Sequence, residues 1–154
     1  MTDRSLLGTW AAIVFVALLV WREARGCSRA AQVAVAGTVL NRVERPKWWG
    51  TTVLAVCFKK LQYSSLTDPH DRQLTTWPVE DDASWQQCLD VADAVLAGRE
   101  ETSMPGADSY FDDSIAPPFW VPSARFVGQI GRLRFYDVDH DYEAAAVAAD
   151  GGPQ

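Results

Sequence analysis

Between Arg4 and Arg22 the chain carries no charged residue, and from Ala11 to Val20 (AAIVFVALLV) it is continuously apolar. Such a run either acts as a signal peptide or signal anchor, or forms a helix buried in a folded core. The uncharged segment, Ser5 to Trp21, falls short of the roughly 20 residues that a spanning helix prefers. It contains Gly8 and Thr9, Asp3 weakens the basic start, and Ala24-Arg25-Gly26 is a poor substitute for an A-x-A cleavage site. We therefore read Leu6 to Ala24 as a buried first helix that stops at Gly26. Helical spacing then puts Glu23 on the face of Leu19, Val16 and Ala12, a carboxylate at the rim of an apolar stripe.

The 154 residues suffice for one domain with one core. Ser28 is placed to cap a second helix running to about Val43, and its many alanines and valines suit a central position where helices approach closely. Arg45-Pro46 ends it. Thr51 or Thr52 opens a short helix to Lys60, and residues 61–82 read as a long irregular loop, more often functional than idle in a compact domain. Asp82 caps a third long helix over 83–97, with Trp85, Cys88, Leu89, Ala92, Val95 and Leu96 inward and Gly98 as the stop. Beyond Pro105 the pattern changes to loops and short strands: Asp108 to Phe111, a Pro117-Pro118 turn, then Arg125 to Tyr136 as a hairpin around Gly131. The predicted fold class is α+β, a helical N-terminal lobe followed by a smaller mixed lobe with a β-hairpin. We place the domain at 1–138 and read 139–154 as a disordered acidic, Ala-rich tail.

Net charge is −6, unevenly spread. Residues 1–63 hold nine of the 14 Lys/Arg but three of the 20 Asp/Glu, so that half carries +6 and the remainder −12. The asymmetry suggests a basic lobe facing an anionic partner, while the overall acidity argues against nucleic-acid binding. Cys27, Cys57 and Cys88 form no CxxC pair, and His70 and His140 are far apart, so no metal-ligand spacing is present and the cysteines read as small apolar residues.

The chemistry on offer is sparse. A desolvated Glu23 would hold its proton to higher pH and could act as a general acid. On the residues alone, an ion pair with Arg22, Arg25 or Arg29 is the commoner role for a glutamate at a helix end. Gln62-Tyr63-Ser64-Ser65 offers amide, phenol and hydroxyl groups of the kind that bind carbohydrate, or else a plain polar turn. Of seven tryptophans, Trp10, Trp21 and Trp85 fit inner helix faces, whereas Trp48, Trp49, Trp77 and Trp120 fall in loops, where a binding platform is easier to build. No G-x-S-x-G or other nucleophile motif is present.

Several blocks in order resemble the spore-cortex-lytic type of cell wall hydrolase. They are Trp21 to Gly26, Gln32 to Ala36, Val39 to Val43, Gln62-Tyr63-Ser64, Gly106 to Phe111, Pro118-Phe119-Trp120, and Ile130-Gly131 through Phe135-Tyr136. The resemblance implies a fold like that of lysozymes and lytic transglycosylases, and cleavage of the peptidoglycan glycan strand with the catalytic glutamate at Glu23. Short single-domain members resemble phage and prophage endolysins. Cys27 stands where an acidic residue commonly follows the glycine, and Ser109 where a histidine commonly precedes the tyrosine.

A lytic transglycosylase needs one glutamate as acid and then base. Hydrolysis needs a second carboxylate, for instance Asp108 or Asp112, since Glu44 lies most of a helix away from Glu23. We expect Glu23 as catalytic residue, Gln62, Tyr63, Ser64, Tyr110 and Trp120 as substrate-binding residues, and neither metal nor cofactor. The expected partner is the glycan strand, bound by a monomer, with a membrane-associated form open through residues 5–21. The site of action is the bacterial cell wall, reached by holin release or by export on an uncleaved N-terminal segment. The alternatives are a hydrolytic muramidase or glucosaminidase, a non-catalytic or membrane-attached wall-binding protein, and, more remotely, a zinc amidase.

Overall fold

The computed structural model describes residues 9–45, 49–60 and 62–142. Helix α1 (Trp10–Ala24) opens where the Ala12 N–H donates to the Thr9 hydroxyl, and its apolar run is spent inside the protein: Ala12, Ile13, Val16 to Trp21 and Ala24 are buried. Among the described residues no helix is long and apolar enough to cross a membrane. Residues 5–8 of the segment considered for membrane contact lie outside the described residues. α1 ends at Ala24, with Arg25 still in right-handed helical geometry and Gly26 not at positive φ, so Gly26 is not the left-handed stop expected of it. Buried Gln32 supplies the termination instead: its Nε2 donates to the carbonyl oxygens of Ala24 and Cys27.

Helix α2 (Arg29–Glu44) is capped by the Ser28 hydroxyl, which accepts the Ala31 N–H. Its small side chains are buried on nearly every face, from Ala31 through Val39, which is the central position their composition predicts. Thr52 caps α3 (Val53–Cys57) and Asp82 caps α5 (Ala83–Leu96). α1, α2 and α5 pack on one another around a core that includes Leu19, Val35, Val39, Val91 and Leu96. Residues 61–82 are more ordered than a plain loop: they contain the one-turn helix α4 (Ser64–Thr67) and a 3₁₀ turn at Arg72–Thr75.

The second lobe is a three-stranded antiparallel sheet in the order β1 (Ser109–Asp112), β3 (Leu133–Asp137), β2 (Arg125–Ile130). Strands β2 and β3 form the expected hairpin, with Gly131 at φ +57° in its turn, and a bulge interrupts β2 between Phe126 and Gly128. In register Ser109 lies opposite Tyr136 and Asp112 opposite Leu133. Phe135 of β3 is wholly buried and joins the helical core.

Asp139 is buried, and its N–H donates to Asp108 Oδ2, so the packed unit runs past the expected boundary at 138. Residues 143–154 of the expected tail lie outside the described residues.

Three other expectations change in the folded chain. Trp10 is not core: as the first residue of α1 it overhangs the end of the bundle and is 72% exposed. The basic N-terminal half is turned inward in part: among the described residues, Arg22, Arg25, Arg29, Arg42 and Arg45 all bond within the fold. Asp108, offered as a second carboxylate, is 0% exposed and takes the backbone N–H groups of Val138 and Asp139, which makes it a structural acceptor. The three cysteines are free thiols, Cys57 and Cys88 buried and Cys27 partly so.

Candidate active site

A cleft of about 630 Å³ runs between the helical lobe and the sheet. Glu23, Gln62, Tyr63, Ser64, Tyr110 and Trp120, scattered over 98 positions, all line it. Glu23 comes from the last turn of α1, and its position is held from both sides. Gln32 binds the carbonyl that follows it, and Gln87 Nε2 donates to Gln32 Oε1 in turn. Arg22 ties the same turn to the 61–82 segment, with Nη1 donating to the Ser65 carbonyl at 2.7 Å and Nε to the Thr76 carbonyl at 3.1 Å. Arg22 also stacks on Trp77, 4.6 Å from the ring centroid.

The Glu23 carboxyl is poorly solvated although its side chain still touches the cleft. Burial raises its pKa above the ordinary carboxylate value, the negative charge of Asp71 adds to the rise, and the Ser65 hydroxyl opposes it. The Ser65 Oγ is itself buried. Tyr110 faces Glu23 from β1: burial chiefly, and then the Glu23 charge, push its phenol well above its ordinary value, so it remains a neutral donor.

Tyr63 lines the cleft with its hydroxyl turned to the core. Its hydroxyl is shared with Thr38 Oγ1 at 2.8 Å and burial raises its pKa to about 12, so the ring forms wall and not a hydrogen-bonding arm. Beside it stands Arg42, which the sequence offered only as part of a family-like block. Its guanidinium is 4.2 Å from the centroids of both Trp49 and Tyr63, and its Nε donates to the Asp108 carbonyl at 2.7 Å. Asn41 makes the parallel bond to the Ala107 carbonyl, so the end of α2 is clasped to the strand that enters the sheet. Trp48 lies outside the described residues.

Two exposed apolar residues on the loop after β1 were missed. Phe119 and Ile115 line the cleft at its lip, and Phe119 is 95% exposed. The adjacent Pro118-Phe119-Trp120 block was the available signal. Trp120 packs edge-on against Phe111 and Tyr136. Asp112 lines the same cleft, and hydrogen bonds from Ser114, chiefly, keep its carboxyl below the ordinary range. Glu44, at the far end of α2, lines a separate cavity. No group of three His, Cys, Asp or Glu among the described residues is arranged to hold a metal ion.

A helical lobe, a small antiparallel sheet and a cleft between them with a desolvated carboxyl on a helix end make up the frame of a wall-hydrolase catalytic domain. The family model described as Cell Wall Hydrolase matches residues 26–136, and the chain belongs to this family. That match starts just past Glu23, so the position of Glu23 rests on the geometry above. A spore cortex-lytic enzyme of Halalkalibacterium halodurans is 31% identical over 123 residues, which cover 80% of this chain. The matched residues cover 34% of that relative, so the chain spans about a third of its length. Among solved structures, the catalytic domain of the germination-specific lytic transglycosylase SleB from Bacillus anthracis matches with a TM-score of 0.63 and 26% identity. That match covers 83% of this chain and 95% of the other. The Bacillus cereus SleB catalytic domain matches at 0.60 and 27%, covering 80% and 88%. The expected fold class, a helical lobe with a small sheet, is the one these domains share.

Proposed function

We propose that this chain cleaves the glycan strand of peptidoglycan as a lytic transglycosylase, between N-acetylmuramic acid and N-acetylglucosamine, with Glu23 as general acid and then general base. The observation that carries the reading is the desolvated carboxyl of Glu23 in a cleft of about 630 Å³ lined by amide, hydroxyl and aromatic groups. The family membership and the transglycosylase named among the relatives support the same substrate class.

Protonated Glu23 gives its proton to the glycosidic oxygen as the bond from the muramyl C1 to that oxygen breaks, and the N-acetylglucosamine leaves with a hydroxyl. The Glu23 carboxylate then takes the proton of the muramyl 6-hydroxyl as that oxygen bonds to C1, closing a 1,6-anhydro ring. Glu23 ends protonated and no water is consumed. Gln62, Ser64 and Tyr110 hydrogen-bond the glycan, Tyr63 and Arg42 form the wall behind it, and Trp120 with Phe119 supplies an apolar platform. The catalytic unit includes the packed residues up to Tyr142. It acts as a monomer on the cell wall, reached by holin release or by export on an uncleaved N-terminal segment.

Hydrolysis is the second reading, favoured by one observation: Asp112 shares the cleft and its carboxyl is held in the ionised form. Digestion of purified peptidoglycan with wild type and Glu23→Gln, with products identified by mass spectrometry, separates the readings. Anhydromuropeptides from wild type alone are expected. Reducing-end muropeptides would replace transglycosylation with hydrolysis. Turnover by Glu23→Gln would remove Glu23 from the mechanism, and binding without products from either protein would favour a wall-binding role.

A further inference from the structure

Ser64 opens α4 and lines the cleft, yet its hydroxyl proton is taken by a side chain that does not line it. Ser64 Oγ donates to Asp71 Oδ2 at 2.6 Å, and Asp71 Oδ1 accepts the Gln73 N–H at 2.8 Å. A serine hydroxyl has one proton. With it committed to Asp71, Ser64 can offer the cleft lone pairs only, and its partner there must be a donor. The arrangement is held against α1 itself. Arg25 Nη1 donates to Gln73 Oε1 at 2.9 Å, and Arg22 holds the carbonyls of Ser65 and Thr76 on either side of Asp71. The helix end that carries Glu23 therefore also positions Asp71.

We propose that Asp71 is a positioning residue for the cleavage reaction: from a segment hydrogen-bonded to the helix end that carries Glu23, it locks Ser64 Oγ as a pure acceptor for a hydroxyl or acetamido N–H of the bound sugar. This inference rests on Glu23 being the acid. Among the described residues, the titratable groups that line the cleft with Glu23 or flank it are Arg22 on α1, Arg25 just after it, Asp71, Arg42 from α2, Tyr63, and Tyr110 and Asp112 from β1. Of these, Asp71 is the one whose charge raises the Glu23 pKa.

The test measures kcat, KM and the pH profile of kcat/KM on soluble glycan oligomers, with the thermal midpoint of each variant. The full chain is used as wild type, Asp71→Asn, Asp71→Ala, Ser64→Ala and Glu23→Gln. Asparagine keeps the Oδ1 acceptor for the Gln73 N–H but puts an N–H donor where Oδ2 takes the Ser64 proton, so it removes both the charge and the lock on Ser64. Asp71→Asn should move the alkaline limb of the profile to lower pH and also raise KM, by about two- to five-fold, because Ser64 is no longer held as an acceptor. Ser64→Ala should raise KM by about five- to ten-fold and leave the limb in place. Asp71→Ala should do both. Wild-type KM and limb in Asp71→Ala, or an equal fall of kcat in every variant with neither effect, would overturn the inference while an inactive Glu23→Gln leaves the proposed function standing. An active Glu23→Gln would overturn both.

Discussion

At the scale of single residues, Glu23 shows how an acid is made from an ordinary glutamate at a cost to the fold. Its pKa is raised from 4.5 in the native state, so above that value the native protein holds a proton that the unfolded chain has lost. Stability contributed by this group falls as pH rises through the window between the unfolded and folded values, and above the window the ionised carboxyl is a full cost. Glu23→Gln should therefore have a higher urea midpoint than wild type at pH 8 and the same midpoint at pH 4, while losing at least about a hundred-fold in turnover. Lower stability than wild type at both pH values would mean that the carboxyl is structural. Phe119 is the converse case, an apolar side chain that the fold leaves in water. Phe119→Ala should raise KM on glycan oligomers about three- to ten-fold through a lost platform, with the thermal midpoint unchanged. An unchanged KM would remove Phe119 from the binding surface.

At the scale of elements, the caps were readable because they are local. Ser28, Thr52 and Asp82 each accept an N–H two or three residues ahead, a geometry set by the chain's own next turn. α1 ends at Ala24 as the sequence suggests, but not through a left-handed glycine: the Ala24 carbonyl accepts from the Cys27 N–H and from Gln32 of the next helix, and Arg25 Nη1 donates to the Trp21 carbonyl. α2 has a close approach of its own. A Cβ built on Gly37 would lie 2.9 Å from the Thr102 Cβ, an atom that cannot swing aside. Gly37→Ala should destabilise by about 1–3 kcal/mol despite alanine's better helix propensity. A thermal midpoint at or above that of wild type would show that the residue 102 segment yields freely.

At the scale of the whole molecule, the charge asymmetry of the sequence is used to join its two halves. Arg45, at the end of α2, bonds Asp137 Oδ1 at 2.7 Å and lies 3.8 Å from Asp108, while Arg125 takes the other oxygen of Asp137. Arg29 reaches Asp90 and Glu100 at the surface. The two latches should differ in measurable ways. Arg45→Met leaves nearly buried carboxylates with less compensation and should cost about 2–4 kcal/mol, with little dependence on salt. Arg29→Ala breaks a solvated pair and should cost about 1 kcal/mol or less, declining as salt rises. Equal costs from urea melts at low and high salt would contradict this division.

The chain alone determined what depends on neighbours in sequence: the helix caps, the hairpin around Gly131, and the blocks that contain most of the residues lining the cleft. Only the tertiary structure decided which groups each side chain meets. It committed the Tyr63 hydroxyl to Thr38, withdrew Asp108 into a backbone cradle, left Trp10 in solvent, set Arg42 between two rings and put Asp71 behind Ser64 and Glu23. The physical reason is that desolvation and electrostatic coupling depend on distance in space. The groups that tune Glu23 come from segments more than 40 residues away, and no local pattern records their approach.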